Sequence, residues 1–407
     1  MGLQALLHRL FCGGLSHVLS GHVRHRRGGH RQRSSGATDV QNSRTGHHKG
    51  LLPARPHGTV RMMLIRSTRS GVPMTGRPTR RTALFTALGA GAAAALPAAA
   101  AHAAGGRPTP PVVVTDQKSR RVLVLDSRLP WDSPDAVRWA FSPEGDERYA
   151  DLEPRASWTY VDEAKARRRR GRTYLLTTAS FGFAAVVEVP TGRRYWAGTL
   201  AGGTDSVNPH SIELLPDGNV AVAGSTGDTI RLYAASQGPA AGTYAEYRFD
   251  DAHGLQWDER RGVLWAIGHD ELIALKVGGT RAEPTLTRVH TAALPHPDGL
   301  SASGHDLSRV VGRPGRLWIT TGYGVYQYDV ARRAFRQDYA GAAQISRRSV
   351  KAVSDVRGSG RVATTVPEPG LGKSWWTTTV SVHNPEGAYK LPDGGIYKAR
   401  WWAPEPR

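Results

Sequence analysis

From residue 112 onward the apolar positions fall into short runs separated by Gly, Pro, Asp and Asn. Runs at 112–115, 122–125, 174–178, 184–189, 212–215, 220–223 and 230–233 are rich in Val, Ile, Leu and Tyr, and the pattern continues at 254–257, 263–267, 272–275, 317–320, 325–328, 362–365, 378–382 and 396–401. Runs this short, bounded by turn residues, read as strands, and no stretch carries a long amphipathic helical period. The region is therefore expected to be all-β.

The strands come in blocks of similar grammar. Pro-His-Ser-Ile-Glu-Leu-Leu-Pro-Asp-Gly-Asn-Val-Ala-Val-Ala from Pro209 reads as strand, turn and strand, and comparable blocks start at Ala252 and His305. Equivalent points at His210, His253, His305 and Lys351 are 43, 52 and 46 residues apart. That period matches the blades of a β-propeller, about 40–50 residues each. Blocks beginning at Val112, Trp158, Asn208, Ala252, His305 and Val350 predict one domain over 112–402 with six blades, seven being the alternative count. A final strand at 395–402 should pair with the first at Val112 and so join the ends of the ring. Trp257, Trp265, Trp318, Trp375 and Trp376 are expected to pack between blades, with stacking on a sugar as the competing role.

The chain before residue 104 has a different character. Residues 1–73 are rich in Arg, His, Gly and Ser without an apolar period, as in a disordered basic extension, and translation from Met62, Met63 or Met74 would omit most of it. Thr79-Arg80-Arg81-Thr82-Ala83-Leu84, an uncharged run over 83–101 and the small residues of Ala101-His102-Ala103 form the three parts of a twin-arginine signal peptide at 74–103. Cleavage is expected after Ala103, giving a secreted protein whose partners in transit are the twin-arginine export machinery and signal peptidase. The apolar run contains Gly89, Gly91 and Pro97 and is short for a bilayer of about 30 Å, which argues against a stable membrane anchor. Residues 104–111 then form a linker and 403–407 a tail.

Removal of the leader changes the charge reading. Residues 1–103 hold fifteen Lys/Arg and one acid, Asp39, a net +14, so only +6 of the formal +20 belongs to the rest. That leaves no nucleic-acid signature, and the run Arg167 to Arg170 reads as a solvated turn. The single cysteine, Cys12, also lies in the leader, so disulfides, thiolate catalysis and Cys-based zinc sites are excluded from the propeller. A monomer is expected.

The blocks 208–218 (Asn-Pro-His-Ser-Ile-Glu-Leu-Leu-Pro-Asp-Gly), 304–307 (Gly-His-Asp-Leu) and 397–402 (Tyr-Lys-Ala-Arg-Trp-Trp) resemble an uncharacterised family of secreted actinobacterial propeller proteins. The resemblance covers nearly all of 112–402 and implies the fold without an activity. In architecture alone the chain is also similar to oligogalacturonate lyases, propellers with a metal held by several His and a Gln.

If each block starts its innermost strand at the equivalent point, Asp116, Gln117, Glu163, Lys165, His210, His253, His305 and Lys351 face the channel mouth. Three His on one axis suit a divalent metal such as Mn, Zn or Ca, with Gln117, Asp306 or water completing the shell. Lys165 or Lys351 would then act as base on a carbon acidified by a metal-bound carboxylate. Without a metal the same residues would bind an anionic group. Asp116, Gln117, Glu163 and Asp306 would contact the substrate, a saccharide or another anionic small molecule. The competing role for each His is a hydrogen bond to backbone between blades. His269, His290, His296 and His383 lack the equivalence and read as loop residues. No Gly-x-Ser-x-Gly, phosphate-loop or His-Glu-x-x-His motif occurs. A carbohydrate-active lyase or hydrolase on acidic saccharides is the leading expectation. A non-catalytic propeller that binds a cell-wall polymer, glycan or protein is the alternative, and a filled channel would favour a plain scaffold.

Overall fold

The Pro-Asp-Gly signal after 215 makes the turn its chemistry demands. Gly218 sits at φ +97°, and a Cβ there would lie 2.5 Å from the Tyr195 hydroxyl, which donates 2.8 Å to the Gly218 carbonyl. Turns of this kind recur through a computed structural model that describes residues 109–202 and 205–404. The extension, the Arg80-Arg81 motif, the signal peptide and residues 405–407 lie outside the described residues.

Six four-stranded antiparallel sheets follow one another, a six-bladed β-propeller. The innermost strands of blades 2 to 6 are Val161–Arg169, Pro209–Leu214, Gly254–Asp258, Leu307–Arg309 and Ala352–Asp355. Blade 1 is made from both ends of the domain. Ile396–Trp401 pairs antiparallel with Val112–Asp116 in the register Val112↔Trp401, Val113↔Arg400 and Val114↔Ala399. The closing strand thus meets the first block as the sequence predicts, but it occupies the inner edge of the sheet, and Val112–Asp116 becomes the second strand.

Uninterrupted apolar runs such as 112–114, 220–223 and 263–267 give each sheet two apolar faces, and each face packs on a neighbouring blade. Tyr174, Leu176, Val186 and Trp196 of blade 2 meet Ile212, Leu214, Val220 and Val222 of blade 3. Val112, Val114, Leu123 and Leu125 of blade 1 meet Ala363, Val380 and Val382 of blade 6, which closes the circle. Each fully buried Val or Leu contributes on the order of 1.5–3 kcal/mol. Trp265 and Trp318 join these inter-blade cores, and Trp257 packs partly buried against another. Trp375 and Trp376 instead pack on Tyr397 in a separate cluster.

Candidate functional site

Five blades begin their inner strand in the same way. Tyr160, Asn208, Asp251, Ser303 and Ser349 all have left-handed backbone, φ between +45° and +59°. Each stands two residues before a buried polar side chain, respectively Asp162, His210, His253, His305 and Lys351. Such backbone is uncommon outside Gly, and its recurrence fixes the register that the 43-, 52- and 46-residue spacing implied. Bulges at Asp162 and His210, where the pairing with the second strand shifts, re-aim these two side chains. Tyr397 of the closing strand completes the set.

The three imidazoles lie together. Ring centroids are 4.4 Å apart for His210 and His253, 5.0 Å for His253 and His305, and 6.4 Å for His210 and His305. His305 Nε2 is 2.8 Å from the Tyr397 hydroxyl, and Lys351 Nζ lies 6.0 Å from the Tyr397 ring centroid. His210 Nδ1 is 3.4 Å from Asp162, and its Nε2 is 3.5 Å from the Asn208 amide. His253 Nδ1 is 3.0 Å from the Asp251 carbonyl. Burial, with Lys351 and His253 next in weight, holds His305 well below the usual imidazole range, so this ring is neutral at neutral pH. Among the described residues no group of three or more His, Cys, Asp or Glu stands in metal-holding geometry.

Below the mouth the axis is filled with charge. Arg400 reaches Glu163 through Nε (2.9 Å) and Asp306 through Nη2 (2.6 Å). Lys398 Nζ lies 3.4 Å from Asp306 and 3.7 Å from Glu163. Burial pushes both carboxyls up, but Arg400 and Lys398, with Lys165 added at Glu163, overcome it and hold both below the usual range. Lys165 Nζ donates to Ser211 Oγ (2.8 Å), the Leu255 carbonyl (2.7 Å) and the Ile212 carbonyl (3.3 Å). Burial lowers Lys165 to about 8, opposed by Glu163 and Glu213.

Beside the mouth stands an aromatic wall. Tyr160 packs on Phe181 (5.8 Å) and on Trp375 (5.7 Å), and Phe181 is 42% exposed. Lys373 Nζ lies 5.4 Å from the Tyr160 ring and 5.8 Å from Trp375. At the opposite end of the inner strands opens a cavity of about 1190 Å3, whose lining includes Lys165, Arg167 and Arg400. This cavity is thus at the other end of the channel from the histidines. The polar side chains of the mouth, Asp162, His210, His253, His305 and Lys351, are all buried.

Residues 111–405 match the sequence model of a protein family. The chain belongs to the family of unknown function DUF6528. No curated protein matches it. A protein of unknown function from Bacteroides caccae is 10% identical to this DUF6528 chain with a TM-score of 0.45, over 72% of this chain and 98% of that one. A streptogramin B lyase is 12% identical with a TM-score of 0.37, over 57% and 73%, and virginiamycin B lyase from Staphylococcus aureus is 12% identical with 0.39, over 71% and 86%. No chemistry transfers from likenesses of this size.

In this DUF6528 propeller the expected site residues divide into three groups. His210, His253, His305 and Lys351 meet at the mouth, joined by Asp162 and Tyr397. Glu163, Lys165 and Asp306 lie deeper, among Arg400 and Lys398. Asp116 and Gln117 do not sit on an inner strand, because the closing strand displaces theirs outward. Asp116 accepts from Ser119 and from the Gly395 amide, holding the turn before that strand. Gln117 links the Trp375 and Trp376 indoles to Asp162, and so supports the mouth from behind. His290 and His383 are strand residues bonded to Tyr328 and Thr364, and the loop reading of them is corrected. So is the reading of Arg167, which is on the innermost strand of blade 2 and paired with Glu213 at 2.6 Å. Besides Asp162, sequence reasoning missed Tyr397, Lys398 and Arg400. Their signal was the closing strand itself, with polar positions at 398 and 400 between apolar ones.

Proposed function

We propose that this protein is exported and binds an acidic saccharide at the His/Lys mouth of its propeller. The observation that carries this reading is the convergence of Asp162, His210, His253, His305, Lys351 and Tyr397, one from each blade, beside the wall of Tyr160, Phe181 and Trp375. Flat apolar ring faces favour sugar C–H surfaces, the neutral His305 imidazole and a tyrosine hydroxyl suit sugar hydroxyls, and Lys351 and Lys373 suit a carboxylate. His253 Nδ1 and His305 Nε2 are engaged by the Asp251 carbonyl and the Tyr397 hydroxyl, which suits a metal-free role for these two atoms, whereas His305 Nδ1 is buried without a hydrogen-bond partner.

A second reading, elimination from a uronate, is favoured by the His305–Tyr397 pair. Neutral His305 would take the proton on the carbon next to the carboxylate, the C–O bond to the leaving sugar would break as C=C forms, and Tyr397 would protonate the leaving oxygen. Lys351 would offset the carboxylate charge.

The experiment is equilibrium binding of uronate oligomers to the purified chain, with and without a chelator, followed by ultraviolet detection of unsaturated product. Binding that persists under chelation and weakens about fivefold in Phe181→Ala supports the reading, a stacked aromatic contributing about 1 kcal/mol. Product absorbance that vanishes in Tyr397→Phe adds the elimination step. Absence of binding removes both.

A further inference from the structure

The cavity at the far end of the channel is lined by an excess of cations. Among its described lining residues are Lys165, Arg167, Arg309, Arg357, Arg361 and Arg400, against the single carboxylate of Asp355. Asp355 already accepts from the Trp318 indole and the Val311 amide, both at 3.0 Å. Deeper in, Lys165, Arg167, Lys398 and Arg400 face Glu163, Glu213 and Asp306, four cations to three carboxylates. Counted once each, the described residues at this end of the channel are seven cations to four carboxylates. Its floor is rigid: Lys165 is 2% and Arg400 7% exposed, and each is held by ion pairs and hydrogen bonds. The guanidinium groups of Arg309 and Arg357 stand on exposed residues at the rim.

We infer that this cavity is a second binding site, distinct from the mouth, for a small polyanion that carries phosphate or carboxylate groups. A guanidinium presents its donors as a planar fork that matches both oxyanions, and a preformed cationic cavity walled by protein screens the attraction less than open water does. A volume of about 1190 Å3 exceeds what one monovalent ion needs and is above the usual span of small-molecule sites, roughly 300–1000 Å3. The site lies where the inner strands end, at Arg309, Asp355 and Trp401, so it is independent of the saccharide reading of the mouth.

The test titrates inorganic pyrophosphate and citrate separately into the full chain by calorimetry at low and moderate salt. Binding of one or both, weakened at least tenfold in Arg309→Ser/Arg357→Ser/Arg361→Ser, is the expected result, and the stronger of the two names the oxyanion. The control removes the same charge elsewhere, Arg260→Ser/Arg313→Ser/Arg332→Ser in a separate cleft of about 620 Å3 between blades 4 and 5, and should leave affinity within about twofold. Thermal melts confirm that both variants fold. No binding of either anion, or equal loss in both triple variants, would overturn the inference, the latter showing only diffuse surface charge.

Discussion

His305 Nε2 lies 2.8 Å from the hydroxyl of Tyr397, a hydrogen bond between residues 92 positions apart that ties blade 5 to the closing strand. The same strand sends Lys398 and Arg400 to carboxylates of blades 2 and 5. The last strand thus joins the ring twice, by pairing with Val112–Asp116 and by ion pairs across the axis.

Arg400→Met should be strongly destabilising, because it leaves Glu163 and Asp306 buried with less compensation. Breaking one side of a buried charge network costs about 3–5 kcal/mol. Adding Glu163→Gln and Asp306→Asn to the same chain should recover part of that loss, since the groups act as a unit. Urea unfolding measures both. A loss below about 1 kcal/mol in the single variant would show that the network contributes little.

Thermal stability should fall as pH is lowered from neutrality. His305 is held well below 6.5 in the folded chain, so the unfolded chain binds more protons in that interval. Its contribution is complete above about 6.5 and is lost as pH falls toward the folded value. Glu163 and Asp306, also held low, add to the loss at more acidic pH. Melting curves between pH 8 and 5 should show a decline that is shallower in His305→Gln. A flat or rising profile would contradict the neutral, buried ring.

Lys165, expected from sequence to act as a base, has its amine committed to Ser211, Ile212 and Leu255. Lys165→Met should lower stability by about 1–3 kcal/mol through the acceptors it leaves buried. Saccharide affinity at the mouth should stay within about twofold, which calorimetry on the folded variant reads. A large loss of affinity with unchanged stability would return Lys165 to the binding site.

Much of this was legible in the sequence because a propeller repeats. The turn at Pro216–Gly218 and the spacing of His210, His253, His305 and Lys351 set out the blades and brought the four mouth residues to equivalent starts of strands. The errors came where repetition fails. Blade 1 takes its inner strand from the far end of the chain, so Asp116 and Gln117 sit one strand outward and Tyr397 takes the axial place. In blade 2 a bulge makes Asp162, not Glu163, the partner of His210, and a single extra residue has no signature in an apolar pattern. The pairing of Arg400 with Glu163 spans 237 residues and obeys no local rule.

The most direct test of the mouth as a site for acidic saccharides is calorimetric titration of a uronate oligosaccharide and its neutral counterpart into the full chain, Lys351→Met and His253→Gln. Binding of the uronate, at least tenfold weaker binding of the neutral sugar, and loss of that preference in Lys351→Met with weaker binding in His253→Gln is the predicted result. Equal affinity for the two sugars, or uronate binding unchanged by both substitutions, would contradict it.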